Sequence, residues 1–285
     1  MNNYFMTNTF LGCSCDFDKA DCIIFGAPFD GTTTFRPGTR FAPQTMRTES
    51  VGLETYSPYF DKDSGDYKIC DAGDLDLPFG STESALDMIE AMASEVFSSG
   101  KKPLVVGGEH LISLPVIKEA YKKYNDLCII HFDAHTDLRD EYLGQKLSHS
   151  SVLRRVWDLT GDGRIFQFGI RSGTREEFYW ANEGHTFLNK FNFNGLDKAV
   201  QEIGSRNVYL TLDLDVLDPS LMSGTGTTEA GGVSFNELIN ALKTISALNI
   251  IGADIVELSP HYDHSGVSTA VACKVLREII FTMMK

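Results

Sequence analysis

With 285 residues, 42% of them hydrophobic and 22% charged, the chain can bury a large core in one domain or two. Its formal charge of −14 argues against nucleic acid, whose phosphates attract Lys- and Arg-rich surfaces, and weakly favours a cationic ligand. There is no run of about 18 apolar residues, so no membrane span is expected, and Met1–Thr9 lacks the basic and apolar regions of a signal peptide.

Short apolar runs alternate with helical patterns. The predicted strands are Cys22–Phe25, Tyr67–Cys70, Leu104–Val106, Leu127–Phe132, Ile165–Phe168, Thr186–Leu188, Val208–Leu214 and Ile250–Val256. Helices are predicted at Ser84–Ser98, Ser113–Tyr124, Val152–Trp157, Arg175–Ala181, Leu196–Ile203, Phe235–Ala247 and Val267–Met284. Strands parted by helices imply βαβ units and a parallel sheet. "PLVV" and "LCIIHF" are apolar on both faces, as in a sheet covered on both sides. Ser234 with Glu237 makes a capping-box pattern, and Ser81 offers a similar cap. No linker, low-complexity tract or repeat appears, so residues 1–285 read as a single domain. Six cysteines form no C-x-x-C pair. Cys22, Cys70 and Cys128 sit in apolar runs, which fits a reducing, cytoplasmic setting, and Cys13 and Cys15 read as solvated loop residues.

In an open α/β sheet, ligands bind beyond the carboxyl ends of the strands. Three apolar runs of this chain end in metal-ligand residue types. "IIHFDAHTD" places Asp133, His135 and Asp137 at i, i+2 and i+4, which face one side in extended chain. A solvated acidic turn would show the same spacing, but crowded carboxylates repel unless a cation joins them. "VYLTLDLDVLDP" puts Thr211, Asp213 and Asp215 on the strand face opposite the leucines, where buried aspartates need a partner or a metal. "PLVVGGEH" turns at Gly107-Gly108 into Glu109 and His110. His110, Asp133, His135, Asp137, Asp213 and Asp215 are too many ligands for one ion. Their oxygen-rich, thiolate-free chemistry favours a pair of Mn²⁺ ions over structural zinc. Such a pair can hold a hydroxide and clamp a hydrolytic transition state.

With these motifs the chain resembles the ureohydrolase (arginase–agmatinase) family. The resemblance rests on "GGEH", "HFDAHTD", "SHSSVLRR", "LDLDVLDPS" and "ADIVELSP", in order, with "GAPFDGTTTFRPGTRFAPQTMR" before them. It implies a three-layer αβα fold with a central, mostly parallel sheet of about eight strands, two Mn²⁺ ions per subunit, and a homo-oligomer, trimeric or hexameric. Carried over residue by residue, His110, Asp133, Asp137 and Asp213 hold one ion. His135, Asp133, Asp213 and Asp215 hold the other. Asp137 passes a proton to the leaving amine, and His149 shuttles protons with an ordinary pKa near 6.5. Glu257 receives the guanidinium, and Asp254 orients from behind.

The loop "LRDEYLGQKLSHSSVLRR" resembles the agmatinase branch, with Arg139 where the arginase branch has Asn. The implied substrate is agmatine, a small cationic guanidino compound. The implied products are putrescine and urea. Asp140 and Glu141 either face the substrate or are solvated. Ser223, Thr228 and Ala230 stand where the family often has prolines, which leaves guanidinobutyrate, guanidinopropionate or arginine as alternatives. A metallophosphoesterase would need a G-N-H-[DE] element that this chain lacks. An inactive metal-binding paralogue is the non-enzyme alternative.

Overall fold

The computed structural model describes residues 8–285, so most of the amino-terminal segment read for a leader lies outside it. In chain order the regular elements are β1 (Cys22–Ala27), α1 (Ala42–Ser50), β2 (Tyr56–Ser57), β3 (Lys62–Asp63), β4 (Ile69–Asp74), α2 (Thr82–Ser98), β5 (Lys102–Gly107), α3 (Ser113–Lys123), β6 (Cys128–Phe132), α4 (Val152–Thr160), β7 (Ile165–Ile170), α5 (Arg175–Trp180), β8 (Phe187–Lys190), α6 (Leu196–Ile203), β9 (Asn207–Asp213), α7 (Phe235–Ile245), β10 (Asn249–Val256) and α8 (Val267–Met283). Eight strands form one sheet in the order β4-β1-β5-β10-β9-β6-β7-β8, and every neighbouring pair is parallel.

Strand alternation divides the core. Ile24, Leu104, Ile130 and Leu210 face α1, α6, α7 and α8, while Ile23, Val105, Ile129 and Tyr209 face α2, α3 and α4. Helices on both faces explain why the strands read as unbroken apolar runs. Local signals place the helix starts. Ser81 Oγ accepts from Ser84 N, and Ser234 and Glu237 form a reciprocal capping box that opens α7.

Three expectations are corrected. α1 and the β2–β3 hairpin were not foreseen. α1 reads "APQTMRTES", with little apolar periodicity, and it buries Arg47 through ion pairs to Asp71 and Asp74. β4 lies further along than Tyr67–Cys70, because it pairs with β1 through Ile69 to Asp74. Cys13 is buried rather than solvated, and burial pushes its thiol up to about 12. Cys22, Cys70 and Cys128 are buried as expected, and the cysteines are free thiols. Among the described residues no helix is long and apolar enough to cross a membrane.

Candidate functional site

β5, β10, β9 and β6 lie side by side in the sheet, and their carboxyl ends deliver the polar residues. Beyond β5 the chain passes Gly108, where a Cβ would lie 1.8 Å from the Phe29 carbonyl oxygen. Only glycine permits that contact. A 3-10 turn, His110–Ile112, follows. His110 Nδ1 is 3.1 Å from Asp133 Oδ2, 3.1 Å from Asp137 Oδ2 and 3.4 Å from Asp213 Oδ2. His135 Nδ1 is 2.9 Å from Asp215 Oδ2 and 3.5 Å from Asp133 Oδ1. All six predicted ligand residues thus meet in one cluster, and all but the half-buried His135 are buried.

Straight alternation does not aim them all. β6 ends at Phe132, and Asp137 adopts φ 53°, in the left-handed region. β9 ends at Asp213, and Asp215 sits in a 3-10 turn, Leu214–Val216. Glu257 is also left-handed, at φ 68°. Non-glycine residues held this way cost about 1–3 kcal/mol each and gather at functional sites.

A polar row lies beneath the ligands. The parallel register sets His131 against Thr211, and Thr211 against Asp254. Thr211 Oγ1 donates to Asp254 Oδ1 at 2.7 Å, so it accepts from His110 Nε2 at 2.8 Å. Tyr209 donates to the other Asp254 oxygen at 2.9 Å. One His110 proton is thereby assigned to Nε2, and Nδ1 faces the carboxylates. His131 lies close enough to join a cation site, but both its nitrogens are engaged. The Gln167 amide donates to the Thr136 carbonyl and to His131 Nδ1, which leaves Nε2 to donate to Asp133 Oδ2 at 2.7 Å. His131 therefore orients Asp133 and offers no free lone pair.

The electrostatics call for cations. Burial and the charges of Asp215 and Asp133 push Asp213 well above the carboxylate range. Burial and the Glu109 charge do the same to Glu257. Burial, then Asp133, raises Asp137. Burial opposes the charge of Asp133, but His131, His110 and His135 outweigh it and hold that group well below the range. Burial likewise opposes protonation of His110 and His135, and the surrounding carboxylates override it and raise both. Two buried atoms, His110 Nδ1 and Asp215 Oδ2, point into the cluster without a hydrogen-bond partner. Orphaned donor atoms among crowded carboxylates fit divalent ions.

Above the cluster opens a cleft of about 230 Å³, lined by His135, Asp137, Arg139, Tyr142, His149, Glu177, Asp213 and Glu257 among others. Glu257 Oε1 accepts from His110 N at 2.9 Å. His149 Nε2 lies 3.1 Å from Thr34 Oγ1, and burial lowers its pKa to about 4, below the ordinary value expected from sequence. Arg139 stacks on Tyr142, 4.6 Å from the ring centroid. Asp140 and Glu141 are exposed and do not line the cleft, and Asp140 pairs with Arg155 at 2.8 Å.

The model of the arginase family matches residues 20–282. This chain belongs to the arginase family. It is 47% identical to an agmatinase of Bacillus subtilis over 97% of this chain and 96% of that one. A solved structure of a candidate agmatinase from Clostridium difficile superposes with a TM-score of 0.92 at 50% identity, covering 94% of this chain and 98% of that one. The structure of agmatine ureohydrolase from Thermoplasma volcanium matches at a TM-score of 0.90 and 34% identity, covering 98% and 95%.

For this arginase-family member, sequence reasoning passed over several site residues. His131 stands two residues before Asp133, on the same strand face, and that alternation could have found it. Thr211 was placed on the polar face, but its partners were not legible before the strand order was known. Arg171 donates to the carbonyls of Gly169, Asp215, Val216, Leu217 and Glu229, which ties the Asp215 turn to the loop beyond it. Nothing near Arg171 in sequence signals that role.

Proposed function

We propose that this protein is a metal-dependent ureohydrolase that cleaves agmatine to putrescine and urea. The observation that carries the reading is the convergence of His110, Asp133, His135, Asp137, Asp213 and Asp215 beside a buried carboxylate, Glu257, at the floor of a small cleft. The similarity to agmatinases supports the choice of substrate. So does the cleft volume, about 230 Å³, which suits a small linear molecule rather than a bulky one.

The four carboxylates and two imidazoles would hold two Mn²⁺ ions, with Asp133 and Asp213 shared between them. When bound, such ions lower the pKa of water and neutralise charge that builds up during hydrolysis. The protein's own residues do the rest. Glu257, buried at the cleft floor beside His110, would receive the planar guanidinium cation through two hydrogen bonds. Asp137, raised by burial and by Asp133, takes a proton from the attacking water and delivers it to the departing amine. His149 lines the cleft wall beside Asp137 and His135, where its imidazole would exchange protons with solvent. Water adds across one C–N bond of the guanidinium; both its protons pass to the leaving nitrogen, one by way of Asp137 and the second as the hydroxyl becomes the urea carbonyl, so the amine leaves as an ammonium.

The acidic balance of the chain draws a cationic substrate toward the cleft. We read residues 1–285 as one cytoplasmic domain working in a homo-oligomer. Urea release is measured from agmatine, arginine, guanidinobutyrate and guanidinopropionate, with the protein stripped of metal and then loaded with Mn²⁺. Metal-dependent release, highest from agmatine, is expected. Release highest from a guanidino acid would reassign the substrate, and no release from any of them would overturn the reading.

A further inference from the structure

Glu109 stands between the β5 exit and the ligand His110, is fully buried, and has no part in the chemistry above. Its Oε1 accepts from Thr32 N at 3.0 Å and from Thr32 Oγ1 at 2.6 Å, and its Oε2 accepts from Thr33 Oγ1 at 3.0 Å. Glu109 Oε1 already takes the Thr32 N–H, and the Thr32 hydroxyl points its hydrogen at the same oxygen. That leaves the oxygen lone pairs of Thr32 free, and one of them accepts the backbone N–H of His149 at 3.1 Å. The next threonine but one, Thr34, reaches His149 Nε2 at 3.1 Å. Backbone bonds hold the same two segments side by side: Gly108 N donates to Ala27 O at 2.9 Å, and Glu109 N to Phe29 O at 2.8 Å. His149 is thus gripped at its backbone and at its ring by one short loop, and that loop is gripped by Glu109.

We propose that Glu109 is a positioning residue for His149: through Thr32 and Thr33 it fixes the loop after β1 and so places the His149 imidazole over the metal cluster. The inference rests on the ureohydrolase reading and assigns a role in it to a buried side chain that touches neither ion nor substrate. Thr32 is the best lever, because it lies half-exposed on a loop and its hydroxyl is the link between Glu109 and His149.

The Mn²⁺-loaded enzyme is compared with Thr32→Val, Thr32→Ser and Glu109→Ala, recording kcat, KM, metal content and a crystal structure of each. Loss of the Thr32–Glu109 hydrogen bond should lower kcat about 10–100-fold in Thr32→Val and Glu109→Ala, with KM and metal content near wild type. Thr32→Ser, which keeps the hydroxyl, should restore kcat to within about threefold. The His149 ring should be displaced in the Val and Ala structures. Wild-type kcat in Thr32→Val overturns the proposal, as does an unmoved His149 ring. Metal loss in step with kcat also overturns it, since the effect would then run through His110. A wild-type protein inert toward every guanidino substrate would instead sink the functional reading. The crystal structures, which need no turnover, would still decide whether Glu109 and Thr32 hold His149.

Discussion

Replacing Thr211 by valine keeps the shape of the side chain and removes one oxygen. That oxygen accepts from His110 Nε2 at 2.8 Å and donates to Asp254 Oδ1 at 2.7 Å. Without it, the His110 Nε2–H faces a fully buried site with no acceptor, at a cost of about 1–3 kcal/mol. Asp254 suffers less, because the Ser113 hydroxyl, 3.2 Å from Thr211 Oγ1, can turn to it. The cost falls mainly on the metal-bound protein, because a metal-free His110 ring can shift toward another acceptor, whereas a ring anchored to an ion cannot. Mn²⁺ affinity should therefore fall roughly 10–100-fold, as is usual when the partner behind a ligating histidine is lost. That is about 1.4–2.7 kcal/mol, inside the range for one unsatisfied buried N–H. Titration against a competing fluorescent chelator measures it, with Thr211→Ser as the control that keeps the hydroxyl. Wild-type affinity in Thr211→Val, or equal weakening in Thr211→Ser, would refute the relay.

Asp254→Asn should weaken Mn²⁺ binding in the same assay, because an amide facing Thr211 sends the threonine proton toward His110 Nε2 and moves the histidine proton onto Nδ1. Asp213→Ala should abolish metal binding and urea release while leaving a folded protein, as read by metal analysis, urea assay and a thermal melt. Metal-free wild type should lose thermal stability as pH rises above about 6.5. His110, His135, Asp213 and Glu257 hold protons in the folded state that their unfolded counterparts have released, so folding is favoured less with each step up in pH. Mn²⁺ replaces those protons and should reverse the slope, and a flat metal-free profile between pH 6.5 and 9 would count against the crowded cluster. Arg171→Lys cannot span five carbonyls, so it should raise KM about tenfold or more without unfolding the chain, measured by steady-state kinetics and melting temperature.

Most of the sheet was legible because each strand carries its own signal. "LCIIHF" is apolar on both faces whichever strands flank it, and helices on both sides of the sheet then follow. The ligands were legible for a related reason: each stands where an apolar run stops, a place where a carboxylate is costly without a partner. What escaped depends on neighbours remote in sequence. α1 carries no clear period because part of its buried face is polar, and Arg47 is satisfied by Asp71 and Asp74 across the sheet edge. His131, Thr211 and Asp254 form a row only once β6, β9 and β10 are known to lie adjacent. The pKa of His149 could not be read from its motif, since burial against the loop after β1 sets it.

The order of the strands also bears on how the protein matures. His110, Asp133, Asp213 and Glu257 hang from four adjacent strands, and the chain reaches β10 only after threading β6, β7, β8 and β9. A nascent or clipped polypeptide that stops short of residue 249 lacks the strand seated between β5 and β9, and the pieces of the cation cage stay apart. A chain cut before residue 249 should therefore bind Mn²⁺ weakly, and titration against a chelator would check that.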